Sequence, residues 1–161
     1  MNLNKLILKQ FPTHVAKTNN TTKANKLWKI NSQGIYNGLI NRFTRAIVVT
    51  NIHTYIFEQL SNQDLQLITQ PVILQLDIYI PINYDTVRMT KKGISWKLPK
   101  KDYQARNDED NISWIWNKCI KDCLTILDVW EDDNIMHCRG THSQVHFIDQ
   151  LDDRRIEISF K

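Results

Sequence analysis

Glycine and proline are scarce in this sequence, with four of each in 161 residues, so a collagen-like fibre or a Gly/Ser-rich linker is excluded. No apolar run approaches the roughly 20 residues that cross a bilayer, and the apolar run within residues 1–10 is too short for a signal peptide. The three cysteines are an odd number, which argues against a disulfide framework. We therefore expect one intracellular domain without membrane association.

Acidic residues are absent before Glu58, and charge is divided unevenly along the chain. Residues 1–107 carry 15 Lys and Arg against 5 Asp and Glu, whereas residues 108–161 carry 6 against 12. A basic surface suits contacts with nucleic-acid phosphates, and a neighbouring block of carboxylates would repel DNA unless divalent cations neutralised it. This division favours a metal-dependent enzyme that acts on nucleic acid; a merely solvated basic surface would give the same charge count.

The hydrophobic pattern predicts an α+β fold with a mixed sheet and few helices. A short helix is expected with Thr50 as its N-cap, and a long helix with a wide apolar stripe is expected over residues 108–127. Residues 13–26 are expected to form a loop, and the basic segment 81–107 a hairpin with its tip at Lys92-Gly93. Strands are expected at residues 2–10, 72–80, 135–138, 144–148 and 154–160.

Two acidic clusters lie at the ends of the predicted long helix. Asp108 and Asp110 stand two residues apart at its start, and Asp132 and Asp133 follow its end. Carboxylates are the protein ligands that Mg²⁺ takes, and the ion keeps its other positions for water and substrate phosphate. The spacing allows a magnesium site if the second cluster returns to the first; capping aspartates and a solvated acidic turn are the alternative interpretation.

The combined pattern resembles the signature of RusA-type Holliday junction resolvases, small dimeric endonucleases of bacteriophages and prophages. The resemblance covers residues 70–160, whereas residues 1–45 match it only loosely. Its three parts are D-x-D-N, a lysine and an aspartate four apart on the following helix, and an aromatic-x-D-D sequence. Here they read Asp108-x-Asp110-Asn111, Lys118-x-x-x-Asp122 and Trp130-Glu131-Asp132-Asp133.

The resemblance implies a single RusA-like domain over residues 1–161 that forms a homodimer. The dimer is expected to nick four-way DNA junctions symmetrically, in the cytoplasm of a bacterial or phage-infected cell. It implies Mg²⁺, with Mn²⁺ as a substitute, held by Asp108, Asp110 and Asp133, with Asp132 as a further ligand. Lys118 corresponds to the catalytic lysine of the family. The segment expected to bind DNA phosphates contains Arg88, Lys91, Lys92, Lys97, Lys100, Lys101 and Arg106.

One departure from the family pattern concerns the lysine. The family has it four residues after the second aspartate, where this chain has Trp114, and Lys118 lies eight residues after Asp110. An insertion of about one helical turn explains this spacing. Two other functions therefore stay open: a nuclease for flaps or replication forks, and a junction-binding regulator that cleaves little.

Other chemically versatile residues have simpler interpretations. Cys119, Cys123, Cys138 and His142 have a spacing that zinc ligands use, but buried cysteines in a core are the favoured interpretation. Asp77 is expected to face solvent from its strand; the alternative is that it joins the metal site. Trp116 and Trp130 are expected in the core, and Trp96 is the candidate for stacking on unpaired bases.

Overall fold

The structure, a computed structural model, describes residues 5–12, 14–16, 27–30, 35, 41–81, 86–90, 93–97 and 109–161. For some of these, among them 86–90, 93–97 and 109–111, only the backbone is described. The fold over this part of the chain is α+β, with a mixed four-stranded sheet and two helices. Neither helix is long and apolar enough to span a membrane.

The described strands form one central sheet and two small antiparallel pairs. The central sheet has the order β1-β8-β4-β7, in which β4 and β7 are parallel and the other neighbours are antiparallel. The eight strands are β1 (Leu6–Lys9), β2 (His14–Ala16), β3 (Leu27–Lys29), β4 (Val72–Pro81), β5 (Thr86–Thr90), β6 (Gly93–Lys97), β7 (Cys138–Ile148) and β8 (Arg155–Phe160).

Strand β4 confirms the alternating pattern predicted for residues 72–80. Leu74, Leu76 and Ile78 are fully buried against the helices, whereas Asp77 and Tyr79 point to the other face and are partly exposed. Residues of one parity share a face in a strand, so the buried face continues through the apolar residues of β1 and β8. The core lies between this face and the two helices.

Helix α1 (Arg42–Leu60) is longer than the helix predicted from Thr50. The N-cap is Asn41, whose side chain accepts a hydrogen bond from the Thr44 amide at 2.9 Å. The predicted start was wrong because the residues just before Thr50 are β-branched, which locally disfavours a helix. Val48 instead belongs to a buried stripe at four-residue spacing that continues to Leu60, and tertiary burial outweighs local propensity here.

Helix α2 (Glu109–Ile126) confirms the long helix predicted from the apolar stripe. Its end is a Schellman motif, in which the Val129 amide donates to the Leu124 carbonyl and the Asp128 amide donates to the Thr125 carbonyl. Asp128 has a φ of 54°, the left-handed conformation that this motif requires. The motif stops the helix and turns the chain away from its axis.

Two further predictions need correction. Residues 13–26 were expected to be a loop, but β2 lies within them and pairs with β3, in the register Val15 to Trp28. Two short strands were expected at residues 135–138 and 144–148, but residues 135–137 form a turn, and a single strand, β7, runs from Cys138 to Ile148 and pairs with β4. The polar residues of its middle obscured it in the sequence, and the Thr141 hydroxyl there donates to the side-chain oxygen of Asn117 on α2 at 3.1 Å.

Candidate metal centre and nucleic-acid interface

Helix α2 separates the two acidic clusters. Asp110 lies in the first turn of α2, and Asp108 lies outside the described residues. From Asp110 to Ile126 the helix rises by about 24 Å at 1.5 Å per residue. Asp133 comes seven residues after the helix end, beyond the Schellman motif. Within one chain, the structure therefore does not bring Asp110 and Asp133 together.

The acidic turn (residues 131–133) gives its two aspartates different surroundings. The carboxylate of Asp132 accepts hydrogen bonds from the Asp133 amide and from the Asn134 side chain, both at 2.8 Å. Asp133 is exposed, and its carboxylate accepts no hydrogen bond from the described part of the chain. Asp132 thus organises the turn, while Asp133 presents a carboxylate to solvent or to a ligand.

Lys118 lies in the middle of α2 and is paired with Asp122 at 3.5 Å. This i,i+4 pair accounts for the spacing of Lys118 and Asp122 without a catalytic role for Asp122. Asp122 also lies 3.5 Å from Nε2 of His53 on α1, so it links the two helices. Burial lowers the pKa of His53, and the charge of Asp122 opposes that shift.

The predicted basic hairpin is confirmed by its two strands, since β5 and β6 pair antiparallel in the register Thr90 to Gly93. Arg88 on β5 lies opposite Ser95, and Lys97 on β6 lies opposite Thr86. The side chains of this pair are not described, so the predicted phosphate contacts stay a prediction. Five of the predicted DNA-binding residues lie outside the described residues: Lys91, Lys92, Lys100, Lys101 and Arg106.

The three cysteines are free thiols in the core, as the favoured interpretation predicted. Burial raises the pKa of Cys119 and of Cys123 to about 12 in each case. The Cys138 thiol donates to the Gly140 carbonyl at 3.3 Å, and His142 is exposed. Trp116 and Trp130 are both 1% exposed, which confirms that they lie in the core.

A polar ladder crosses the face of the sheet that α1 and α2 leave uncovered. The ring of Tyr79 stacks on His146 with centroids 4.6 Å apart, and the guanidinium of Arg155 lies 3.7 Å from the Tyr79 centroid. His146 Nε2 lies 2.8 Å from a carboxylate oxygen of Asp77. Asp77 lies on the face away from the core, as expected, but its side chain is only 16% exposed because His146 on the parallel strand covers part of it. Only the pairing of β4 with β7 reveals this contact, so nothing in the local sequence signals it.

Beside this ladder, Glu157 forms the most enclosed ion pair of the described residues. It is 8% exposed and binds both Lys5 and Arg155, the latter at 2.7 Å. Burial alone would raise the pKa of Glu157, but the hydrogen bonds from Lys5 and Arg155 outweigh it and the pKa is lowered. The same pairing raises the pKa of Lys5. These groups hold β1 against β8.

Comparison with known proteins assigns no family to the chain. No protein-family model matches the chain, and no curated protein matches it either. In the described part of one chain, no three His, Cys, Asp or Glu side chains lie close enough together to hold a metal ion.

Proposed function

We propose that the protein is a Mg²⁺-dependent endodeoxyribonuclease that acts as a homodimer on four-way DNA junctions. The observation that carries the proposal is the placement of two acidic clusters at the two ends of one long helix, in the sequence context that resembles RusA-type resolvases. The basic character of residues 1–107 supports it, since a DNA substrate requires phosphate contacts on the same molecule.

Two copies of α2 that run antiparallel about a two-fold axis unite the clusters. Each end of one helix then lies beside the opposite end of the other, and Asp110 of one protomer meets Asp133 of its partner. The separation of about 24 Å within one chain no longer matters in such a dimer. Two equivalent pockets result, as symmetric nicking of two strands requires.

In each pocket Asp108 and Asp110 of one protomer and Asp133 of its partner would hold the Mg²⁺. When bound, the ion would polarise the scissile phosphate and lower the pKa of a water molecule. Asp132 keeps the turn in shape through its two hydrogen bonds, which leaves Asp133 as the ligand. The basic hairpin, with Arg88 and Lys97 on its strands, would position the DNA backbone.

The decisive assay incubates the protein with a labelled four-way junction and Mg²⁺. Paired symmetric nicks support the proposal, and flap or fork cleavage without junction cleavage identifies a different structure-specific nuclease. Binding without cleavage identifies a regulatory protein. Asp110→Asn is expected to abolish cleavage and retain junction binding; undiminished cleavage by this variant would remove Asp110 from the site.

Mixed dimers test whether each pocket draws on two chains. We expect Asp110→Asn and Asp133→Asn chains to be inactive separately and to recover cleavage of one strand per junction when mixed, because one of the two pockets then has both native aspartates. If each pocket belonged to one chain, every pocket in the mixture would carry a substitution. No recovery on mixing, with mixed dimers confirmed by mass, would contradict the two-chain pocket.

A further inference from the structure

A tight turn at residues 134–137, the apolar turn, connects the acidic turn to β7. The Asn134 carbonyl accepts hydrogen bonds from the amides of His137 at 3.0 Å and Cys138 at 2.8 Å. The Asn134 side chain accepts a hydrogen bond from the Met136 amide and donates one to a carboxylate of the acidic turn, both at 2.8 Å. Hydrogen bonds to one asparagine therefore fix the shape of this turn.

The apolar turn holds two large apolar side chains in solvent. Ile135 is 74% exposed and Met136 is 69% exposed. Because the hydrogen bonds of Asn134 fix the backbone here, these side chains are presented outwards by an ordered turn rather than by a loose loop. Exposed apolar area on a preorganised backbone is typical of a surface that another molecule covers.

Two further exposed apolar side chains lie at the same end of the molecule. Ile126, the last residue of α2, is 61% exposed, and Leu67 is 63% exposed. The segment that follows Leu67 is bonded to the chain that follows α2: the Ile68 amide donates to the Val129 carbonyl at 2.7 Å, and the first amide of β4 donates to the His137 carbonyl at 2.9 Å. The four exposed apolar side chains therefore gather where α2 ends and β4 and β7 begin.

This end of the molecule is also acidic. Residues 122–138 carry five Asp and Glu and neither Lys nor Arg, and residues 65–72 carry no charge. The Glu131 side chain is 89% exposed, and Asp128 is exposed as well. Basic residues begin at the borders, with Arg139 in β7 and a lysine on α2. We call this surface the acidic apolar end; it consists of Leu67, Ile126, Asp128, Glu131, Ile135 and Met136.

The charge of the acidic apolar end selects among the molecules that could cover it. Nucleic acid and an anionic membrane carry the same sign of charge and are repelled. The same end of a second copy is repelled too, so two-fold pairing through this surface is disfavoured. Isoleucine and methionine side chains bordered by carboxylates instead suit a peptide segment whose apolar residues are flanked by Lys or Arg.

We infer that the acidic apolar end is the docking surface for a basic amphipathic segment of another protein. The apolar stripe of that segment covers Ile135 and Met136, and its Lys and Arg side chains pair with Glu131 and Asp128. The inference goes beyond the proposed function and does not depend on it, because Asp133, the proposed metal ligand, is not among these residues.

Fluorescence anisotropy with the full-length protein tests the class of partner. The probe is a fluorescein-labelled helical peptide with a stripe of leucines flanked by lysines. One control peptide has glutamates in place of the lysines, and a second has serines in place of the leucines. We expect saturable binding of the probe alone, weakened as the salt concentration rises. Absence of saturable binding, or equal binding of either control peptide, would overturn the inference.

Substitutions on the surface distinguish docking from a general attraction between charges. We expect Ile135→Ser to raise the Kd of the probe by about tenfold, because an apolar contact is lost. Glu131→Gln should make the Kd less dependent on salt. Phe43→Ser removes a side chain of similar exposure (75%) from α1 and should leave the Kd unchanged. Circular dichroism confirms that the variants fold, and equal Kd values for Ile135→Ser and Phe43→Ser would place the probe elsewhere and refute the docking surface.

Sedimentation velocity tests whether a second copy occupies this surface instead. We expect the wild-type chain and the Ile135→Ser variant to have the same association state, because the surface serves a different partner. Self-association of the wild-type chain that is lost in Ile135→Ser would assign the acidic apolar end to contacts between copies and overturn the inference.

Discussion

Gln63 offers a quantitative test of how the β1 edge is stabilised. The change Gln63→Met keeps the length of the side chain but removes three hydrogen bonds, to the Ile7 amide at 2.9 Å, to the Ile7 carbonyl at 2.6 Å and to the Gln59 carbonyl at 3.0 Å. Ile7 is half-buried, so water replaces these partners only in part. With about 1 kcal/mol for each bond, the loss is about 3 kcal/mol of unfolding free energy. For a domain of this size, that lowers the Tm by about 9 °C.

Thermal and urea unfolding of the variant measure this loss directly. Gln66→Met is the matched control, because Gln66 is exposed and no hydrogen bond is recorded for its side chain within the described chain. Hydrogen exchange should show faster exchange at the Ile7 amide and little change at the centre of β4. A variant with the same Tm as the Gln66→Met control would refute the argument that the glutamine protects this edge.

Three further predictions address single contacts. Glu157→Gln should lower stability by about 1 kcal/mol near pH 7. Because Lys5 and Arg155 lower the pKa of Glu157, this contribution is present above the ordinary glutamate range and is lost as the pH falls, so a Tm difference that does not shrink as the pH falls below that range would contradict it. Asp128→Gly should raise stability by about 0.5 to 1 kcal/mol in urea unfolding, because Asp128 has a φ of 54°, and an unchanged midpoint would contradict this. Lys118→Met should reduce junction cleavage by less than about tenfold, whereas a proton-transfer group would cost about 100-fold or more.

The periodic elements of this fold could be predicted from sequence because burial imposes a period. Alternation identified β4, and the stripe that contains Ile115 and Leu124 identified α2. Strand β7 was predicted only in part, as two short strands, because its polar middle is only partly buried, with Thr141 bound to Asn117 on α2. Its continuity depends on pairing with β4, a long-range contact that leaves no local period.

The candidate site shows the same division between local and long-range information. The sequence indicates which aspartates form the two clusters, and it separates them by a helix. It does not show that Asp132 uses its carboxylate inside its own turn, since that depends on the conformation of Asn134. Nor does it indicate that Asp77 meets His146, because those residues are 69 apart in the chain.

The length of α2 connects the departure from the family pattern with the dimer. If the carboxylates met within one chain, an added helical turn would move them apart by about 6 Å and destroy the pocket. In an antiparallel pair of helices, the two ends remain opposite each other when both helices lengthen equally, so the pockets survive. Residues in the middle of the helix, by contrast, do not keep their distance from its ends when the helix lengthens. Lys118 is paired there with Asp122, two turns from Asp110, and Trp114 occupies the position one turn from Asp110 instead. A lengthened helix therefore preserves metal binding in the proposed dimer while it removes the lysine from the pocket.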